Sequence, residues 1–101
     1  MNNESIEKEI IEKKLIAPRV TLDHIRSIIV GEDYHVFNDT TVTVCLLNLK
    51  NGFTVTGESA CASPENFDVE LGRKIARDNA VSKIWALEGY LLKEKLFTGE
   101  V

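Results

Sequence analysis

The dipeptide Asn51-Gly52 stands between two runs dense in β-branched and apolar residues, TVTVCLLNL before it and FTVTG after it. A two-residue type I′ turn needs φ > 0 at both central positions, which Asn and Gly tolerate well, so the spacing predicts an antiparallel hairpin. With residues 41–49 as the first strand, Lys50 faces Phe53, Asn48 faces Val55, Leu46 faces Gly57, and Glu58 faces Cys45. One sheet face then carries Val42, Val44, Leu46, Phe53 and Val55 and is expected to meet the core. The other carries Thr43, Cys45, Leu47, Leu49, Thr54 and Thr56. It is too apolar to stand freely in water, so a second subunit or a ligand is expected to cover part of it.

After the hairpin, Ser63-Pro64 predicts a helix start, with Asn66 as an alternative cap a turn later. The helix runs to about Leu87, or past Gly89 to Leu96. Gly72, Ala76, Ala80 and Ile84 recur at four-residue spacing, and small residues along one stripe let another element approach closely. Phe67, Leu71 and Ile75 add an adjacent apolar row. Gly89 is unfavourable inside a helix by ~1 kcal/mol and marks a place where Tyr90, Leu91 and Leu92 can fold back as a second arm.

Upstream, residues 3–15 have helical spacing, with Ile6, Ile10 and Ile11 on one side and Glu4–Lys8 and Glu9–Lys13 as i,i+4 pairs. Pro18 stops this helix. Thr21 caps a second one over residues 22–30, ended by Gly31. Residues 31–40 are mostly polar, and Tyr34-His35-Val36-Phe37 reads either as a short strand or as a loop. The expected fold class is α+β in one domain spanning 1–101: N-terminal helices over 1–31, an antiparallel sheet over 34–61, and a helical region over 63–97, either one long helix or a helical hairpin.

Composition narrows the function classes. The net charge of −4 and pI near 5.1 argue against general attraction to nucleic acid or to anionic membranes. No apolar run approaches the ~20 residues of a membrane helix, and the charged start MNNESIEKEIIEKK lacks the apolar centre of a signal peptide. Cys45 and Cys61 read as free thiols, which fits a cytoplasmic protein. Neither His24 nor His35 has further metal ligands at a useful spacing, and Glu58-Ser59 beside Cys61 has no neighbouring histidine to act as base. The expectation is a binding protein that is not an enzyme and needs no cofactor or metal. At 101 residues the chain buries a modest core. A homo-oligomer is therefore expected, a dimer or larger even-numbered assembly with the long helix at its interface, because the small-residue stripe and the doubly apolar hairpin present more apolar surface than a chain of this size should leave exposed.

The segment LKNGFTVTGESACASPENFDVELGRKIARDNAVSKIWALEGYLL closely resembles a family of small tailed-phage and prophage proteins. The likeness rests on NGFTVTGESAC, the ENFD helix start, the GRKIARDNA run and the KIWALEGYLL ending, with APRVT as a looser N-terminal match. The resemblance extends to the first-described phage anti-Thoeris sponge proteins. It implies a sheet-plus-helical-hairpin unit that assembles into homo-oligomers in the cytoplasm of the infected bacterium. Such a protein holds glycocyclic ADP-ribose, and in some members cyclic oligonucleotides, between subunits without cleaving them.

A ligand of that kind needs cations for its phosphates, a slot for adenine and amides to read the base edge. This chain offers Arg26, Arg73, Arg77 and Lys83 for phosphates, Phe53 for stacking and Asn66 for hydrogen bonding. In the N-terminal half Arg26 is the only counterpart for a phosphate-binding arginine, which leaves the signal open. The runner-up is a phage protein that binds a host protein through the second sheet face or the Trp85–Tyr90 surface. A small nucleotide hydrolase ranks last.

Overall fold

The computed structural model describes residues 3–15 and 17–100; Met1, Asn2, Ile16 and Val101, included in the expected domain, lie outside the described residues. The elements are α1 (Asn3–Glu12), α2 (Leu22–Ile28), β1 (Ile29–Val36), β2 (Thr43–Leu49), β3 (Thr54–Ser59), a single 3₁₀ turn at Pro64–Asn66 and α3 (Val69–Thr98). The strands form one antiparallel sheet in the order β1-β2-β3, and α3 lies across β2 and β3. The α+β expectation holds, with the C-terminal region as one long helix rather than a helical hairpin.

The hairpin forms at Asn51-Gly52, but with a different turn. Gly52 has φ +91 while Asn51 is not among the positive-φ residues, so a type I′ turn is excluded. Gly52 N–H donates to Leu49 O at 2.9 Å and Leu49 N–H donates to Phe53 O at 2.8 Å, which encloses a three-residue loop with glycine at its left-handed position. Asn51 Oδ1 accepts from Phe53 N–H at 3.0 Å and locks the corner. The extra loop residue shifts β3 by one position. Leu47 now pairs with Val55, Cys45 with Gly57 and Thr43 with Ser59.

A one-residue slip exchanges the faces of a strand. The expected core face of Val42, Val44, Leu46, Phe53 and Val55 is therefore corrected. The face under α3 carries Thr43, Cys45, Leu47 and Leu49 from β2 with Val55 and Gly57 from β3, all buried. Val44 and Leu46 point to the other side and stay half-exposed, as does Thr56, while Phe53 is 54% exposed. Glu58, expected opposite Cys45, pairs with Val44 and is exposed.

The small-residue stripe explains how α3 can sit so low on the sheet. A Cβ at Gly57 would lie 2.3 Å from both Ala76 O and Ala80 N, and one at Gly72 would lie 2.9 Å from Thr43 Oγ1. Ala76, Ala80 and Ile84 are fully buried within the single chain. The expected intersubunit role of this stripe is thus corrected: it faces the chain's own sheet. Ile25 of α2 closes the end of the core beside Cys45, Leu47, Leu49, Val55 and Val81.

Other boundaries move for local reasons. Asp68, not Ser63 or Asn66, caps α3, its carboxylate accepting from Leu71 N–H at 3.0 Å. Helix α3 passes through Gly89 without a break and reaches Thr98. Thr21 caps α2 as expected, accepting from His24 N–H at 3.0 Å. The helix ends at Ile28, however, and Gly31 lies inside β1 beside a register irregularity rather than at a helix end. The polar residues after Gly31 are strand to Val36. Helix α1 ends at Glu12, ahead of Pro18, and has no buried residue. The ion pair Arg26–Glu4 at 2.5 Å fastens it to α2, and Arg19–Glu7 at 2.6 Å fastens it to the linker between the two helices.

Candidate functional site

Helix α3 covers β2 and β3 and leaves the β1 side open, so its two flanks face different surroundings. Arg73 and Arg77 are one turn apart on the flank toward β1. Arg77 Nε stands 3.5 Å from Glu32 Oε2, and the Arg73 guanidinium lies 5.3 Å from the centroid of the Tyr34 ring, within cation–π range. Glu32 and Tyr34 reach this flank because alternate residues of β1 share a face, opposite Leu47 and Cys45 of β2.

The Tyr34 hydroxyl donates to the Glu32 carboxylate. Burial first, and then that hydrogen bond to an anion, hold the Tyr34 phenol well above the ordinary tyrosine range. Burial likewise raises the Cys45 thiol beside it, partly offset by Tyr34. Both groups are therefore neutral at physiological pH. They serve as donors and packing surface, not as nucleophiles.

Arg77 also lines a groove of about 490 Å³ with Arg26. Its apolar lining is Leu22, Ile25, Ile29 and Val81, and Asn3, Glu4 and Asp78 stand with the two arginines. Glu4 holds Arg26 at 2.5 Å, so each guanidinium meets a carboxylate across or beside the groove. Two forked cations above an apolar floor suit a planar or phosphorylated anion able to displace those carboxylates.

The other candidates lie elsewhere. Phe53 and Lys83 share an apolar groove of about 540 Å³ with Thr54, Val55, Thr56, Ala86, Leu87 and Tyr90, on the flank of α3 toward β3. Asn66 lines a third hollow, of about 330 Å³, with Ser59, Asp68, Gly72 and Asn79. The structure thus brings Arg26 and Arg77 together, sets Arg73 beside them, pairs Phe53 with Lys83, and leaves Asn66 by itself. Among the described residues, none of these three hollows collects all six.

Glu32 and Tyr34 escape a reading of the sequence alone. The signal for them is the alternation in GEDYHV, which carries both onto one strand face. His24 touches Glu88 across the α2–α3 contact at 2.9 Å, and His35 packs edge-on against Phe37, with ring centroids 4.6 Å apart. Cys45 and Cys61 are free thiols. Among the described residues no three His, Cys, Asp or Glu side chains group to hold a metal ion, and no helix is long and apolar enough to cross a membrane.

Residues 20–96, from just before the α2 cap nearly to the end of α3, match the model of a family described as phage protein (N4 Gp49/phage Sf6 gene 66). No curated protein and no solved structure matches the chain.

Proposed function

We propose, given that this chain belongs to the phage protein (N4 Gp49/phage Sf6 gene 66) family, that it is a non-enzymatic anti-defence protein. It binds a cyclic nucleotide immune signal and withholds it from the host, as an anti-Thoeris sponge does with glycocyclic ADP-ribose. Cyclic oligonucleotides are further candidate ligands, and the infected cell's cytoplasm is the place of action.

The observation that supports this reading best is the meeting of Arg26 and Arg77 on one groove with an apolar floor. A phosphate entering there exchanges carboxylate partners for its own oxygens, so the guanidiniums stay paired throughout. Capture needs no bond to break, and binding alone withholds the signal. Phe53 and Lys83 lie on the far flank of α3, so they contact the same ligand only where a second copy brings its own flank to the groove.

Calorimetry with glycocyclic ADP-ribose and with cyclic di- and trinucleotides tests the reading. Arg26→Ala and Arg77→Ala are each expected to weaken binding about tenfold to a hundredfold, since a charge-assisted hydrogen bond contributes roughly 1.5–3 kcal/mol. The nucleotide recovered from the complex is expected intact by mass spectrometry. Turnover of the ligand would favour the hydrolase reading, and no binding at high micromolar nucleotide would end the sponge reading. One observation favours the alternative of an adaptor or inhibitor that binds a host protein: the apolar side chains exposed on the far end of α3, Tyr90 and Phe97 foremost.

A further inference from the structure

Helix α1 is attached to the molecule by charge more than by apolar burial. None of its ten residues is buried. Ile10 and Ile11, with Leu15 just beyond the helix, line an open groove of about 540 Å³ beside the linker to α2. The ties come from one acidic face, where Glu4 and Glu7 stand one turn apart and each meets an arginine outside the helix. Arg26 of α2 meets Glu4 at 2.5 Å, and Arg19 of the linker meets Glu7 at 2.6 Å. The Arg26–Glu4 pair is open to solvent, with its side chains 54% and 72% exposed. Pairs of that kind are individually weak, and salt weakens them further. The chain turns back after α1 through Lys14, whose φ of +55 is a left-handed conformation unfavourable for a residue with a Cβ. A ten-residue helix is also marginal in water by itself.

The Glu4 tie stands at the groove that holds Arg26 and Arg77. The two carboxylates paired with those arginines are not equivalent. Glu32, beside Arg77, belongs to β1 and is fixed by the pairing of that strand with β2. Glu4, on Arg26, belongs to a helix that buries nothing. An anion that reaches Arg26 must take the place of Glu4, and its charge then repels the carboxylate it has displaced.

We propose that α1 is a displaceable strap on this groove: Glu4 caps Arg26 while the groove is empty, and a phosphorylated anion takes its place and lifts α1 from α2. The proposal rests on the reading of the groove as an anion site. Glu4 is then a competitor built into the chain, and only the undocked fraction of the protein binds at full strength. The coupling is reciprocal, so whatever loosens α1 tightens anion binding, and anion binding loosens α1.

Inorganic pyrophosphate is the probe, because it brings the charge without base or sugar, and the full chain is used throughout. By calorimetry, Glu4→Gln is expected to bind pyrophosphate about two- to fivefold more tightly than the wild type, the range set by one exposed ion pair. Glu7→Gln is expected to tighten binding at least as much, although Glu7 stands on Arg19 and not at the groove, because it frees the same helix. Arg26→Ala is expected to weaken binding, and adding Glu4→Gln to it to change nothing further. Hydrogen exchange read by mass spectrometry is the second measurement. Amides of residues 7–12 are expected to exchange at least about twofold faster in either glutamate variant and in saturating pyrophosphate, while those of β2 and of residues 76–84 keep their rates.

Tighter binding by Glu4→Gln but not by Glu7→Gln overturns the strap, since one charge and not a helix is then displaced. So does exchange in α1 that pyrophosphate leaves unchanged, or pyrophosphate bound by neither the wild type nor Glu4→Gln at concentrations on the order of 10 mM. In those cases the strap fails even if a cyclic nucleotide is captured elsewhere on the protein. The expected pyrophosphate results without capture of any cyclic nucleotide keep the strap and end the sponge reading.

Discussion

The two halves of α3 share one helix and one supply of apolar residues, yet they solve opposite problems. From Val69 to Ile84 the residues toward the sheet are small, and Ala76, Ala80 and Ile84 are completely buried. From Trp85 to Thr98 the large side chains Leu87, Tyr90, Leu91, Leu96 and Phe97 are all exposed. The first half works by removing bulk so that two backbones meet. The second half presents bulk to whatever arrives. A row of small residues thus marks a contact within this chain, whereas the large side chains beyond it stand clear of the core.

This contrast is most vulnerable under the first half. Gly57 lets the helix backbone rest on β3, and a Cβ there lies 2.3 Å from two backbone atoms that no rotamer change can move. Gly57→Val is expected to cost about 3–5 kcal/mol, enough to unfold a marginal domain of this size, because overpacking against backbone has no soft escape. Urea denaturation followed by circular dichroism measures it. A variant that folds with nearly unchanged stability would show that α3 does not rest on β3.

One kind of substitution made in both halves separates them. Ala76→Leu inserts a branched side chain at a fully buried position and is expected to lose about 1–3 kcal/mol of stability. Ala86→Leu, on the exposed part of α3, is expected to leave monomer stability within ~0.5 kcal/mol. Thermal melts of the two variants, run at dilution, read the difference directly. Equal losses would erase the distinction between the halves.

Much of this fold is legible in the sequence, and the failures have physical causes. The hairpin and the long helix announce themselves through Asn51-Gly52 and through the four-residue spacing of Gly72, Ala76 and Ala80. Loop length does not, because Asn-Gly serves both a two-residue turn and a three-residue loop with glycine in the left-handed position. That one residue decides which side of β3 is inside, so a two-residue turn puts Cys45 and Leu47 on the wrong face although their strand is right. The stripe is legible as a site of close approach, but its partner is Gly57, whose position over the stripe depends on the same register.

The candidate site divides in the same way. Its cations are visible as charge on a helix face, whereas the meeting of Arg26 with Arg77 is tertiary and depends on where α2 docks. Glu32 and Tyr34 stay hidden because a polar stretch after a glycine looks like a loop until a neighbouring strand pairs with it.

A subtler change concerns the residue where the two halves could have parted. Gly89 lies within α3, is exposed, and has nothing within 4 Å of the position a Cβ would take. Its backbone is helical, with no positive φ, so alanine can adopt the same conformation without strain. Alanine also restricts the unfolded chain and raises helix propensity. Gly89→Ala is therefore expected to stabilise the monomer, by about 0.5–1 kcal/mol. The gain is expected chiefly as slower amide hydrogen exchange over residues 89–98, since the first half of the helix is already held by the sheet. If residues 89–98 formed a separate arm folding back at Gly89, the same substitution would strain the bend and lower stability. The sign of one small change thus decides whether α3 is a single rod in solution.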